Sequence, residues 1–548
     1  MQPAFAIKGQ RRSFRLHALP TRTPSPPTAF EFDRRSHLFL FEILLVMLLG
    51  AAVLSLVAER IGVPYPTLLA LAGAALAFAP GMPHLQVPPE LILALFVAPV
   101  LLDAAHDASW RDLKTNWRPV LSLVLVAVGL TTMTVAVVAR LLVPDMSWAA
   151  AIALGALLAP PDAVAALAVM RAVSPPHRLR VVLEGESLFN DASALLIYKL
   201  ALTSVAVGTF SIGNVAPALL LVSVGSAAAG WILATLVTRL TALVRDPAIA
   251  TIIQFVGTFG VWLLAERLEL SGVITVVVFG VTAGRRSSGA SFTEVRIKSF
   301  AAWDTATRIL NVLAFTMVGL QLRPIAASLT AAQARDYPLY ALAILAIVIV
   351  VRLVWVLLYG VVRLISGSQP DEMLGTWSGT LKSGLVVGWS GMRGIVTIAA
   401  ALALPQDFPQ REFVQLVAFV VVLGTLVLQG LTLKPLLKAL RFPPDTVVED
   451  EIRLAREAIA RAALRALDGR EGEAAERLRR HLAEGVATSE RGEDMFSDES
   501  RLRLAVLPAS RQALDQLRDR GEIGDDAFRF VEQELDWSEL TAQSHRYE

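Results

Sequence analysis

The sequence predicts an all-α, polytopic membrane protein with a helical cytoplasmic tail, and three observations predict it. Hydrophobic residues make up 55% of the 548 and charged residues only 18%, with a mean hydropathy of +0.57, too apolar for a water-soluble fold of this length. From His37 to about Leu440 the chain is a series of apolar runs, each roughly 15 to 30 residues long and closed by a short polar connection, as bilayer-spanning helices require. After Leu440 the composition turns abruptly to charged, helix-forming sequence. Three segments follow: 1–36, 37–440 and 441–548.

Residues 1–36 are basic and rich in Pro, Thr and Ser (KGQRRSFR, then TRTPSPPT), with too little apolar surface to order themselves. They read as a disordered leader. Thirteen spans are expected, at about 38–58, 66–80, 90–105, 119–142, 148–170, 178–207, 214–243, 247–268, 271–284, 299–322, 338–363, 378–404 and 412–440. The second, third and ninth barely cover a hydrocarbon core of about 30 Å, so they should be steep, broken or partly re-entrant. The connections after the third, fifth, seventh and ninth runs carry Arg111/Lys114/Arg118, Arg171/Arg178/Arg180, Arg239/Arg245 and Arg285/Arg286/Arg296/Lys298. Positive charge in short loops marks the cytoplasmic side. With an odd number of spans in the cell (inner) membrane, the tail is then cytoplasmic and the N-terminus outside. The basic leader opposes that arrangement; a span count wrong by one, a misplaced translation start or a removed segment would each resolve the conflict, and the misplaced start is favoured. In the tail, Ile452, Ala455, Ile459, Ala463 and Leu467 share one helical face, so an amphipathic helix with a partner is expected, and ERGEDMFSDES divides the tail into two helical parts.

Charge and composition also exclude. Fifty Lys and Arg against 48 Asp and Glu leave a net charge of +2, no basis for a nucleic-acid surface. The absence of cysteine removes disulfides, thiolate metal sites and cysteine nucleophiles. No GxxxxGK[ST] loop and no His/acid cluster at metal-ligand spacing occur, so neither a nucleotide nor a resident cofactor is expected. Work done across the membrane has to run on an ion gradient.

An ionised carboxylate at a helix centre costs about 2.5–3.5 kcal/mol on the insertion scale, so intramembrane acids are functional by default. Asp162 lies mid-run in LLAPPDAVAALAVM, and EGESLFNDASALLIYKL holds Glu184, Glu186, Ser187, Asn190 and Asp191. Glu186 and Asn190 are four residues apart, as are Ser187 and Asp191, so these side chains form two adjacent rows expected to look inward. Pro160 and Pro161 have no N–H, which breaks the helix before Asp162 and frees the carbonyls of Ala156 and Leu157. Free carbonyls beside a carboxylate make a hard-oxygen cation site; the plainer reading is a proline kink with a hydrogen-bonded aspartate. Arg352 and Arg393, also mid-run, should each pair with an acid or cap carbonyls of a broken helix, and Gly388, Gly391 and Gly394 permit a break near Arg393. Asp103 belongs either to the ion path or to an interfacial loop. Asp304 and Arg308, four apart, should form a structural pair. His84, His106 and His177 fall in loops and read as solvated, and Trp110, Trp117, Trp148 and Trp303 read as interfacial anchors.

PPDAVAA, then GESLFND with its aspartate 29 residues after Asp162, then VGLQL, a mid-run arginine and SGMRG resemble, in order and spacing over about 38–440, the monovalent cation:proton antiporters of the NhaP and sodium/proton exchanger type. The resemblance implies a fold of inverted repeats with broken helices at the ion site. It implies that Asp191 is the ion and proton carrier, that Asp162 lines the same site, and that Na⁺ is held by Asp191, Asp162 and Ser187. It further implies that Ser187, Asn190, Pro161 and Asp103 support the site, that Glu186 is held by Arg352, and that Arg393 is the arginine of the family's LRG motif. Family members are homodimers that move a core domain against a dimer domain, and an Asn-Asp pair accompanies electroneutral exchange. This sequence has Pro161 where many relatives have a hydroxyl residue, Asp103 where some have a longer glutamate, and GMRG in place of GGLRG, departures that bear on which ion is preferred.

The expected function is Na⁺/H⁺ antiport by competition at Asp191, one cation for one proton, with Na⁺ (or K⁺ or Li⁺), H⁺ and the lipid bilayer as partners. The alternatives are K⁺/H⁺ exchange on the same scaffold and a gated channel or transporter-like sensor signalling through 441–548. An intramembrane hydrolase lacks a base such as a mid-run histidine.

Overall fold

The computed structural model describes residues 29–80, 88–170, 175–207, 212–290, 293–366, 377–443, 445–490, 497–520, 522 and 525–544, and these form helices without a strand. The leader up to residue 28, His84 and Arg171 lie outside them.

Helix α1 (Ala29–Ile61) begins upstream of His37, inside the segment expected to be disordered. Helix α2 (Tyr65–Leu76) follows. The third run is a continuous rod of α3 (Pro89–Ile92), a π-helical turn over Leu93–Val97 and α4 (Ala98–Asp107). The π turn accompanies Pro99, which has no N–H to return to the carbonyl of Leu95. A short α5 (Trp110–Thr115), capped by the Ser109 hydroxyl, leads into α6 (Trp117–Leu121), a second π turn over Ser122–Ala127 and α7 (Val128–Leu142). The fifth run is split into α8 (Trp148–Leu158) and α9 (Ala163–Met170). Then come α10 (His177–Val207), α11 (Ile212–Ala242), α12 (Pro247–Arg267), α13 (Gly272–Ala290), α14 (Thr293–Leu320), α15 (Leu322–Ala327) and α16 (Ala331–Ile365). The twelfth run is split into α17 (Trp377–Trp389) and α18 (Ile395–Leu402), and α19 (Arg411–Leu440) ends the apolar region.

Among the described residues seven helical segments have the length and apolarity of a bilayer crossing, against thirteen expected. The other apolar runs fold as helices too, but are short, interrupted or polar. Of the three runs expected to be short, only α2, with 12 residues, remains so. The third run is a long rod, and α13 has 19 residues.

Packing sorts the apolar helices into two groups. One comprises α7, α8 with α9, α10, α16, α17 with α18, and α19. The other comprises α1, α2, the rod ending in α4, α11, α12, α13 and α14, in which α14 lies along α2 and α13 along α4 and α11. Outward faces of α1, α11, α12 and α16 carry exposed Val46, Leu49, Leu221, Val256 and Leu339. Apolar bands of this extent need lipid or protein against them rather than water.

The tail is two helix pairs, α20 (Val447–Ala466) on α21 (Glu473–Glu490) and α22 (Ser497–Asp519) on α23 (Asp525–Ser544), the second joined by Arg511 to Asp536 at 2.8 Å and to Glu539. The buried stripe of α20 is rotated from the expected one. Ala460 is buried, whereas Ile459 is 69% exposed and Ala455 is also exposed, because α20 meets α21 along a narrow contact rather than a broad apolar face. The tail is tied to the basic connections. The Asp445 carboxylate accepts from the His177 N–H at 2.7 Å and from Val447 N–H at 3.1 Å, and Arg111 pairs with Glu451 at 3.0 Å. Arg285 lies over the Trp110 ring. The connections after the third, fifth and ninth runs and the start of the tail therefore share one side of the molecule.

Candidate ion site

The site begins with two interruptions. Pro160 and Pro161 end α8 and leave 159–162 unwound. Segment 390–394 is unwound between α17 and α18, where Gly391 and Gly394 supply a backbone without side chains. The interruptions cross, and the Asp162 N–H donates to the Met392 carbonyl at 2.6 Å. The crossing needs its glycines. A Cβ on Gly394 would stand 1.9 Å from Asp162 Oδ2, and one on Gly391 would stand 2.4 Å from Arg352 Cδ.

The end of α8 and the start of α9 are satisfied by side chains, as buried ends require, whereas α18, with Gly394 at its start, has no side-chain cap. Asp162 Oδ1 accepts from Val164 N–H at 2.9 Å, so this aspartate caps α9. The fully buried Arg393 donates from Nε to the Leu158 carbonyl at 2.9 Å, at the end of α8, and from Nη1 to Gly391 O. The carbonyls that find side-chain partners are not the expected Ala156 and Leu157 but those of Leu158 and Pro161, one and four residues beyond Leu157, because α8 continues to Leu158 and the chain unwinds only after it. Asn190 Nδ2 donates to Pro161 O at 3.3 Å, while its Oδ1 has no partner among the described residues.

The two rows on α10 divide. Glu186 and Asn190 turn into protein: both Glu186 oxygens accept from Arg352, Oε1 from Nη1 and Oε2 from Nη2 at 2.7 Å, and Nη2 also reaches Val387 O at 3.0 Å. Ser187 and Asp191 instead line a cavity of about 1020 Å³, together with Glu184. The four side chains expected on one inward face therefore look two ways, since adjacent rows on a helix of 3.6 residues per turn diverge. Asp191 is 8% exposed and makes no hydrogen bond or ion pair among the described residues. Asp162, partly buried, lines the same cavity close enough for the two charges to interact.

The cavity lies between the two helix groups and opens on the side of the basic connections, where Ser109, Asp112, His177 and Arg180 line it. Asp103, on α4, lines it as well and is placed in a helix rather than a loop. His106 is in the last turn of α4, and His177, the first residue of α10, sets its ring 3.3 Å from Asp112 Oδ2. Both histidines thus belong to helices, and His177 is not simply solvated. Asp304 and Arg308 form no ion pair with each other; both are exposed and line the cavity, where water competes for them. Trp110, Trp117 and Trp148 are about half exposed, but Trp303 stacks on Phe255 with centroids 4.1 Å apart.

Several residues of the crossing escaped the sequence. Thr425 Oγ1 accepts from the Arg393 N–H at 3.0 Å. Tyr198 donates to Ala400 O at 3.0 Å, tying α10 to α18. Gln429 is wholly buried, and neither end of its amide has a partner among the described residues. Threonine and glutamine are too common in membrane helices to stand out, although Thr425 and Gln429 are four apart and so share a face.

Gly394→Ala is expected to displace the Asp162 carboxylate. Overpacking of this kind costs about 1–3 kcal/mol, and cation affinity should fall together with thermal stability. Na⁺ titration and thermal unfolding of one preparation check this.

Two crossed, interrupted helices beside carboxylates at the end of a cavity define an ion-coupled secondary transporter. Residues 44–439 match the family model described as sodium/hydrogen exchanger, transmembrane, and the chain belongs to that family. It is 31% identical over 533 residues to an uncharacterised Na⁺/H⁺ exchanger of Mycobacterium tuberculosis, covering 91% of this chain and 96% of that one. It is 29% identical over 436 residues to the sodium, potassium, lithium and rubidium/H⁺ antiporter of Bacillus pumilus, covering 75% and 63%. The fold matches the sodium proton antiporter MjNhaP1 from Methanocaldococcus jannaschii with a TM-score of 0.59 at 18% identity, over 74% of this chain and 99% of that one.

Proposed function

We propose that the chain is a Na⁺/H⁺ antiporter in which Na⁺ and H⁺ compete for Asp191. The observation that carries this reading is the cavity ending on two carboxylates of unequal attachment. Asp162 is held by the α9 N-terminus, whereas Asp191 has no hydrogen-bond or ion-pair partner among the described residues and can take either a proton or a cation. A carboxylate that holds one or the other couples two opposing fluxes without further machinery. Asp162, Ser187 and Asp103 add oxygens around the cation, a hard-ion environment. Asn190 and Pro161 fix the broken helix, Arg393 compensates its carbonyl end, and Glu186 with Arg352 braces α10 against α16. With the basic connections on the cytoplasmic side of the cell membrane, the cavity is open inward. Alternating access follows if the group carrying the crossing moves against the other. A homodimer and a role in pH homeostasis belong to the same proposal.

K⁺/H⁺ exchange is the second reading, favoured by the breadth of ions in the name of the Bacillus pumilus relative. Purified protein in liposomes, scanned with Na⁺, K⁺ and Li⁺ against an imposed pH gradient, decides between them. The same preparation tests stoichiometry. Asn190 cannot titrate, so if Asp162 keeps one charge state, one cation exchanges for one proton and no net charge crosses. A clamp of 100 mV is worth about 2.3 kcal/mol per net charge moved. The exchange equilibrium is expected to be the same at zero and at about 100 mV; a clear shift would mean that Asp162 also carries protons.

A further inference from the structure

The wall of the cavity opposite α10 has a second polar row. On α14, Asp304, Thr307 and Asn311 line the cavity, at the same spacing as Glu184, Ser187 and Asp191 on α10. Each row runs acid, hydroxyl three residues on, then amide or acid four further on, which keeps its members on one helical face. The α14 row descends from an exposed acid to buried groups: Thr307 is 6% exposed and Asn311 7%. Thr307 Oγ1 and Asn311 Oδ1 are buried and have no hydrogen-bond partner among the described residues. Leaving such atoms unpaired costs about 1–3 kcal/mol each, and an ordinary helical threonine escapes that by donating to the carbonyl four residues back, as Thr305 and Thr316 on the same helix do. Asn311 Oδ1 is closed off from the cavity; turning the amide about its last bond brings the oxygen to the cavity side and puts the nitrogen in the closed position.

We propose that Thr307 and Asn311 form a cation-binding step on α14, across the cavity from Asp162 and Asp191. Its ligand is the transported alkali cation, taken from the cavity by neutral hard oxygens. The charge around it fits. Glu59, Asp103, Asp107, Asp112 and Asp304 outnumber Arg180, Arg308 and Lys434 on the lining, before the two site aspartates and Glu184 are counted. Neutral ligands are chemically suited to this place, because they hold a cation without taking a proton and leave the competition to Asp191. Since α14 belongs to the opposite helix group from the crossing, a cation touching both walls contacts the two bodies at once.

This inference rests on the antiport reading, and the experiment keeps the two apart. Na⁺-dependent proton flux is measured in proteoliposomes for wild type, Thr307→Val, Thr307→Ser and Asn311→Leu, over a range of Na⁺, Li⁺ and K⁺. Asn311→Leu is expected to raise the apparent KM for Na⁺ about tenfold and Thr307→Val several-fold, at maximal rates within about twofold of wild type. Thr307→Ser should restore the wild-type KM, and Li⁺/Na⁺/K⁺ ratios should change in the first two variants. Should Asn311→Leu fail to fold, the near-isosteric Thr307→Val with its serine rescue carries the test alone. Wild-type KM and ion ratios in the variants would mean that the two groups bind only water and would overturn the inference. So would a joint fall of maximal rate and thermal stability at unchanged KM, the mark of a purely structural role. A wild-type protein that exchanges no alkali cation for protons would sink the antiport reading itself.

Discussion

Asp191→Asn is expected to insert and fold like the wild type and to lose Na⁺/H⁺ exchange altogether. The amide has the size of the carboxylate and fills the same place on α10, so packing is little disturbed. Asp191 makes no ion pair or hydrogen bond among the described residues, so its replacement strands no partner. What disappears is the capacity to hold a transferable proton or a full negative charge, and both sides of the competition depend on it. Na⁺-driven proton flux in proteoliposomes, with thermal unfolding on the same sample, measures the two expectations together. Wild-type flux in this variant would remove Asp191 as carrier, and Asp162 would be the next group to consider.

Arg352→Ala is expected to destabilise the protein by about 3–5 kcal/mol, because it leaves an uncompensated charge in a buried place. Arg352 and Glu186 have side chains 3% and 1% exposed and meet through both guanidinium nitrogens and both carboxylate oxygens. The same nitrogen that binds Glu186 Oε2 also satisfies Val387 O near the end of α17, so the pair braces α10, α16 and α17 together. Loss of either partner should lower the unfolding temperature sharply, whereas replacing both, as Arg352→Met with Glu186→Leu, should recover much of the loss, since a paired buried charge contributes little net stability. Thermal unfolding of the single and double variants provides the measure. If Arg352→Ala lowered transport at unchanged thermal stability, the pair would be part of the ion path rather than a brace.

Much of this architecture is legible in the sequence, for a reason particular to membranes. Ionisable residues inside apolar runs are costly enough to stand out, which singles out Asp162, Glu186, Asp191, Arg352 and Arg393, and Pro160 with Pro161 announces the first interruption. What composition and spacing cannot supply is pairing across distance; the Glu186–Arg352 pair is indicated by the family resemblance alone. Nothing in SGMRG says that Met392 meets Asp162, or that Gly394 lies under its carboxylate. Helical spacing places Ser187 beside Asn190 but not which of them faces water. Uncharged polar groups were hardest to read: Thr307, Asn311, Thr425 and Gln429 carry no charge to betray them. Amphipathicity also misled in α20, where the exposed Ile459 was expected to be buried, because a solvated hairpin buries only a narrow line of side chains.

The tie between Asp445 and the first N–H of α10 bears on how shortened versions of this chain are to be interpreted. Asp445 belongs by sequence to the tail, yet it serves as a helix cap for the element that carries Asp191, and caps of this kind are worth about 0.5–2 kcal/mol. A chain stopped at Leu440 loses that cap and the Arg111–Glu451 pair, so its altered activity would report a frayed transport helix. A chain stopped after Leu467 keeps both, and a change in its behaviour would report the remainder of the tail. Drawn by these contacts, the boundary between transporter and appendage falls inside α20 rather than at the end of α19.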